Sequence, residues 1–323
     1  MNISLCTDNN FVKPALVCIT SIFETNKGEN ISVYILTDGI SEKAKAMFSL
    51  LAKQYGQRII IKEIDKSCFN GLTVNERFPI SMYYRFLLPD MLQNEDKVLY
   101  LDCDIIVRHS LKPLYDIDLS GKALAAVVAE SCDDIVFENT LLLKGKYFNS
   151  GVLLLNLDYW RQNNTAKRLI EWVAENPDKC SLPDQNALNK VLDRCIVYAD
   201  YTYNYQEWWF RDSLVHYMHY SKWNEIRECG KDPVVVHFCE AEKPWFAECK
   251  NPYQNEFLHY ANLHDFIGFK LQKRYGFAYQ CANFVDRIGL KFRYWAERWQ
   301  KHIIKNIKTV SYTNQTIPTI THD

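Results

Sequence analysis

The chain has 323 residues, 48% of them apolar and 24% charged, the make-up of an ordinary globular protein with enough length to bury a large core. No apolar run approaches the roughly 20 residues of a membrane-spanning helix, and the eleven cysteines follow no metal-ligand or disulfide-framework spacing. The net charge of −1 hides an asymmetry: residues 261–323 hold ten Lys and Arg against four Asp and Glu, a net of +6, which leaves −7 on the first 260.

The chain opens on Met1-Asn2-Ile3-Ser4-Leu5-Cys6, with no basic or apolar signal region, so a reduced, cytoplasmic protein is expected. Residues 2–7 read as a short strand ending in the polar turn Asp8-Asn9-Asn10. A helix follows from Phe11 to Thr25, with Leu16, Ile19, Ile22 and Phe23 at helical spacing. A second strand (31–37), a helix N-capped by Ser41 and ending at Tyr55, and a third strand (58–64) continue the alternation. This pattern predicts a doubly wound parallel α/β sheet, in which ligands bind beyond the carboxyl ends of the strands. No G-x-G-x-x-G follows the first strand, so the dinucleotide fingerprint is missing. Further on come a helix-like run (Ser81–Leu88), a buried strand (Ala123–Glu130), the polar trio Asn149-Ser150-Gly151 before an apolar strand, and a helix capped by Asp158. Pro183-Asp184-Gln185-Asn186 opens another helix, and strands at 195–199 and 234–238 complete the set. Residues 1–260 read as one domain.

Lys97–Val107 is a β-branched, apolar run that Asp102 and Asp104 interrupt. Residues two apart on a strand face the same way, and two like charges buried side by side are costly unless a cation holds them. The pattern therefore asks for a metal where the strand leaves the sheet; the plainer alternative is an Asp capping a turn. His237, at the end of a Val-rich strand, adds an imidazole. Two carboxylates and one imidazole suit Mn²⁺, and Mg²⁺ less comfortably, with positions left open for substrate. Arg85 and Lys243 are cations within reach of phosphate oxygens, and Asp8 and Asn10 could bind a base and ribose. The combination reads as transfer from a nucleotide-activated donor.

These stretches, together with Tyr147–Leu157, Pro183-Asp184-Gln185 and His237–Trp245, occur in this order over roughly the first 245 residues. So ordered, they resemble the retaining glycosyltransferases of family 8, especially bacterial lipopolysaccharide galactosyl- and glucosyltransferases. The resemblance implies the GT-A fold, a Rossmann-like mixed sheet flanked by helices. It implies Asp8 on the uracil and Asn10 on the ribose of UDP-glucose or UDP-galactose. Asp102, Asp104 and His237 would hold Mn²⁺ against the diphosphate, with Cys103 between the carboxylates in the donor site and Lys243 as phosphate cation. Arg85, Asn149 and Asp184 would hold the hexose, Gln185 would lie near the anomeric carbon, and Glu130 near the acceptor, where relatives carry Asp. Glu240 stands where relatives often place a Gly. An amide at the anomeric carbon is a poor nucleophile, which favours front-face displacement over a covalent glycosyl-enzyme.

Residues 261–309 change character. Phe284, Ile288, Phe292, Trp295, Trp299 and Ile303 recur at helical spacing beside a stripe of Arg287, Lys291, Arg298, Lys301, Lys305 and Lys308. Such a helix is expected to lie in an anionic membrane surface, on the inner face, where a lipid-linked glycan acceptor would be met; the alternative is packing on the acidic body. Residues 310–323 read as a disordered tail. The rival functions are a transferase with a protein, polyol or capsular acceptor and a non-catalytic nucleotide-sugar-binding module. The acidic body and the lack of any recognition motif argue against nucleic acid.

Overall fold

The computed structural model describes residues 1–74, 79–131, 134–210, 220–241 and 243–273. Ten strands are present among them: β1 (Asn2–Cys6), β2 (Ser32–Thr37), β3 (Arg58–Glu63), β4 (Lys97–Leu101), β5 (Ile105–Val107), β6 (Leu124–Val128), β7 (Phe148–Asn156), β8 (Ile196–Tyr198), β9 (Tyr205–Gln206) and β10 (Val235–His237). Seven form the main sheet in the order β3-β2-β1-β4-β7-β6-β8, and three form a second sheet in the order β5-β10-β9.

The inner strands β2, β1, β4, β7 and β6 of the main sheet are buried on both faces, which explains their near-continuous apolar sequences, whereas the edge strands β3 and β8 are partly exposed. Leu99 and Leu101 of β4 join a core under the helices Val12–Thr25 and Glu42–Tyr55, whereas Val98 and Tyr100 face the opposite core with Trp160, Leu169 and Leu188. Ser41 caps its helix as its sequence predicts, accepting from the Ala44 amide at 3.3 Å. Asp158 does not cap: Asn156 accepts from the Tyr159 amide at 3.0 Å, and Asp158 pairs with Arg161 one turn on.

Two features depart from the all-parallel reading of the strand-helix alternation. Strand β7 runs antiparallel to both β4 and β6, so the sheet is mixed, as the family resemblance implies. The strand ending at His237 does not extend this sheet; β10 pairs antiparallel with β5 and parallel with β9. Asp102-Cys103-Asp104 is the joint at which the chain leaves β4 for β5 and so passes from one sheet to the other. Strand alternation therefore does not aim the two carboxylates; the bend between the sheets does.

The compact unit runs from Met1 to Gln272, twelve residues beyond the boundary read from charge. Ile267 is buried in the core and Gln272 donates its amide to the Trp245 carbonyl at 2.9 Å. The amphipathic stripe and the Thr-rich tail lie outside the described residues. No described helix is long and apolar enough to cross a membrane.

Candidate active site

The joint brings Asp102 and Asp104 against His237 of β10, and one ligand atom from each lies within 4.8 Å of the others. Each carboxylate gives one oxygen to a cation of the protein and turns the other toward the imidazole. Asp102 Oδ1 accepts from Arg85 Nη2 at 3.0 Å and from the Tyr100 hydroxyl at 2.6 Å, leaving Oδ2 3.8 Å from His237 Nε2. Asp104 Oδ2 accepts from Lys243 Nζ at 2.5 Å, leaving Oδ1 3.3 Å from the same Nε2. Burial opposes ionisation of Asp104, yet Lys243 and His237 beside it hold its carboxyl well below the usual range. Burial also opposes the charge on Lys243, and Asp104 more than offsets it, so the ammonium is retained.

Gly151 of β7 makes this convergence possible. A Cβ there would lie 2.2 Å from His237 Cε1 and 2.8 Å from Asp102 Oδ2, distances that only a bare backbone allows. The Gly151 carbonyl in turn accepts the Asp102 amide at 2.8 Å and fixes the start of the joint.

A second cluster adjoins the first through Arg85, which sits on the short 3₁₀ helix Ile80–Leu87. Its guanidinium spans Asp102, the Ser150 carbonyl (2.7 Å), the Met82 carbonyl (3.0 Å) and Asp184 Oδ2 (3.3 Å), and it stacks 4.2 Å from the Tyr100 ring centroid. Asp184 opens the helix Pro183–Val191. Burial raises its carboxyl pKa and Asp102 adds to the rise, against the pull of Arg85. Gln185 follows, with Oε1 accepting from the Ser150 amide (2.9 Å) and from Asn149 Nδ2 and Ser150 Oγ (3.3 Å each), while Nε2 donates to Tyr147 Oη at 3.1 Å. Asn189, one turn on, clamps the same helix to β7: it donates to the Phe148 carbonyl at 2.9 Å and accepts the Phe148 amide at 2.8 Å.

Asp8 lies just past β1 and accepts the backbone amides of Asn10 (2.8 Å) and Phe11 (3.1 Å), so it orders the turn into the first helix. Asn10 and Lys243 line a cavity of about 450 Å³ walled by Phe11, Trp245 and Phe246. Cys103 is buried and donates to the Cys6 carbonyl at 3.3 Å, tying the joint to β1. Glu130 stands past β6 with φ +46°, its carboxylate taking the Tyr201 hydroxyl at 2.9 Å. Among the described residues no hydrogen bond or ion pair joins Glu130 to Asp184 or Gln185. Glu240 is half-buried after β10.

A family model described as glycosyl transferase family 8 matches residues 2–249. The chain belongs to that family. It is 31% identical over 282 residues to the lipopolysaccharide glucosyltransferase WaaO of Escherichia coli, covering 80% of each chain. It is 29% identical over 316 residues to the lipopolysaccharide 1,3-galactosyltransferase of Salmonella typhimurium, covering 89% of this chain and 91% of that one. General stress protein A of Bacillus subtilis is 28% identical over 273 residues, with 80% and 92% covered. In three dimensions the chain matches the galactosyltransferase LgtC, solved in complex with donor and acceptor sugar analogs, with a TM-score of 0.72 and 28% identity over 81% of this chain and 95% of that one.

For this family-8 member, sequence reasoning missed Gly151, Tyr100 and Asn204 as parts of the site. Gly151 lies in the Tyr147–Leu157 stretch, but its role depends on His237 of β10 coming against β7. Nothing local marks Asn204, which is fully buried on the 3₁₀ turn Tyr201–Asn204.

Proposed function

We propose that the protein is a divalent-metal-dependent retaining hexosyltransferase that moves glucose or galactose from a UDP-sugar to a lipid-linked glycan on an anionic membrane surface at the inner face. The observation that carries this reading is the arrangement of Asp102, Asp104 and His237, whose three remaining donor atoms converge while Arg85 and Lys243 neutralise the two carboxylates from outside. With the imidazole neutral, three lone pairs turned on one another repel unless a cation lies between them, so the donor set fits a metal. The imidazole favours Mn²⁺ over Mg²⁺. A divalent ion held there supplies Lewis-acid stabilisation of a departing diphosphate.

The chain's own residues do the rest. Asp8, Asn10 and the aromatic walls of the adjoining cavity receive the nucleoside, and Lys243 is positioned to meet phosphate as well as Asp104. Asp184 and Asn149 hold the hexose, with Arg85 fixing the Asp184 carboxylate. Gln185 lies beside them as a neutral amide whose orientation is set by the Ser150 amide. The acid nearest to it in sequence, Asp184, is already engaged by Arg85 and by Ser150 Oγ at 3.2 Å. Both points support front-face displacement, in which the departing phosphate oxygen takes the acceptor's proton. Glu130, turned into the left-handed region at the end of β6, is assigned to the acceptor side. Relatives named for lipopolysaccharide glucosyl and galactosyl transfer support the donor and the acceptor class.

A panel of UDP-sugars with Mn²⁺, reading UDP release with and without candidate glycolipids, tests the reading. Release from UDP-glucose or UDP-galactose that a glycolipid accelerates is the expected result. Acceleration by protein or polyol acceptors alone replaces the acceptor, and no release from any nucleotide sugar removes the function.

A further inference from the structure

The hydrogen bonds around β7 and β10 assign amide orientations and, through them, a proton on His237. The Gly151 backbone amide can only donate, so the Asn149 atom 3.0 Å from it is the carbonyl oxygen. Asn204 approaches that same oxygen at 2.9 Å and must therefore present its NH₂ group. Its own carbonyl oxygen is thereby turned to His237 Nδ1, 3.0 Å away. An amide oxygen carries no proton, so Nδ1 carries it; in the neutral imidazole, the form a metal ligand takes, Nε2 then keeps a lone pair facing Asp102 and Asp104. On the other side, Asn149 Nδ2 donates to Gln185 Oε1, whose identity as oxygen is fixed by the Ser150 amide.

We propose that Asn204 is a positioning residue that holds His237 in its Nδ1-protonated form, and that Asn204 and Asn149 join the metal ligand to Gln185 through one line of oriented amides. The proposal rests on the metal reading of the Asp102–Asp104–His237 cluster for its function, though not for its geometry. All four members are buried: Asn204 is fully inaccessible, His237 is 2% exposed, Asn149 7% and Gln185 9%. Burial strengthens these bonds, and an amide turned the wrong way would set oxygen against oxygen at Asn149. A partner on the far nitrogen of a ligating imidazole fixes its tautomer and ring plane, and its removal typically lowers metal affinity about 10- to 100-fold.

Two variants separate the two halves of the proposal. Asn204→Ala removes the acceptor for Nδ1–H and the donor to Asn149. Asn204→Asp keeps an acceptor for Nδ1–H but sets a carboxylate oxygen against Asn149 Oδ1, so it breaks only the link toward Gln185.

The test combines long-range ¹H–¹⁵N spectra of the histidines in the full chain with Mn²⁺ titration followed by electron paramagnetic resonance. Expected are a protonated Nδ1 and an unprotonated Nε2 on His237 in the wild type, Mn²⁺ affinity about 10- to 100-fold weaker in Asn204→Ala, and Mn²⁺ affinity near wild type in Asn204→Asp with a reduced kcat for UDP-sugar hydrolysis at saturating Mn²⁺. A neutral His237 with its proton on Nε2 and none on Nδ1 in the wild type overturns the proposal even if neither variant folds. So does equal Mn²⁺ affinity in Asn204→Ala, or an equal loss of affinity in both variants, which marks a merely structural role. Wild-type protein that takes up no Mn²⁺ overturns the metal reading instead, and the tautomer is then decided by the spectra alone.

Discussion

At the scale of single residues the site depends on what is absent as much as on what is present. Gly151 leaves the space that His237 and Asp102 fill, and no side chain can be added there without displacing one of them. Gly151→Ala is expected to retain the far-ultraviolet circular dichroism of the wild type while UDP release falls on the order of 100-fold, the usual cost of a 1 Å misplacement in a reacting site. Release within a few-fold of wild type would show that the imidazole tolerates the shift. The charged members of the site were legible in the sequence because carboxylates and a histidine at the ends of apolar strands need an explanation. Gly151 and Asn204 were not legible, since their roles arise from backbone approach and amide orientation between strands far apart in the chain.

At the scale of elements, the helix Pro183–Val191 is fixed to β7 by Asn189, which pairs with both backbone groups of Phe148 in the manner of a strand partner. Asn189→Ala leaves a buried N–H and C=O unsatisfied and is expected to lower stability by about 2 kcal/mol in urea denaturation; a loss below measurement error would contradict this role. The helix Asp134–Leu141 carries a different signature at its start. Asp134 is buried, and burial pushes its carboxyl pKa up to about 7 even though Ser131 donates to it. Well below pH 4 the group is neutral folded and unfolded. As pH rises toward 7 only the unfolded chain ionises, so stability is lost across that window, by roughly 4 kcal/mol when complete. Asn at this position does not titrate. The stability of Asp134→Asn relative to wild type, measured by thermal unfolding from pH 4 to pH 8, is therefore expected to rise with pH, and a constant difference would contradict the buried carboxyl. The strand-helix alternation predicted most elements correctly, because burial on both faces writes itself as apolar runs. It did not reveal the antiparallel direction of β7 or the second sheet, because an apolar run encodes burial and not strand direction.

At the scale of the whole molecule, the unit Met1–Gln272 holds both cores and every site residue named above. The bond between Gln272 and the Trp245 carbonyl closes this unit, so a cut after residue 273 preserves the described contacts. A chain ending there is expected to retain UDP-sugar hydrolysis and to lose cosedimentation with anionic liposomes, the role assigned to the basic aromatic stripe. Undiminished cosedimentation would place the membrane contact on the body instead. The change of charge near residue 260 was legible, but charge does not mark where packing ends: Ile267, in the core, and Phe269, whose ring lies 5.7 Å from that of Phe257, belong to the body. The central claim is that Asp102, Asp104 and His237 hold a divalent cation against the diphosphate of a nucleotide sugar. Calorimetric titration of UDP into the full chain, with Mn²⁺ and then with EDTA, tests it most directly. Binding that requires Mn²⁺ and is lost in Asp102→Asn is the expected result, and UDP binding that is equally tight in EDTA would contradict it.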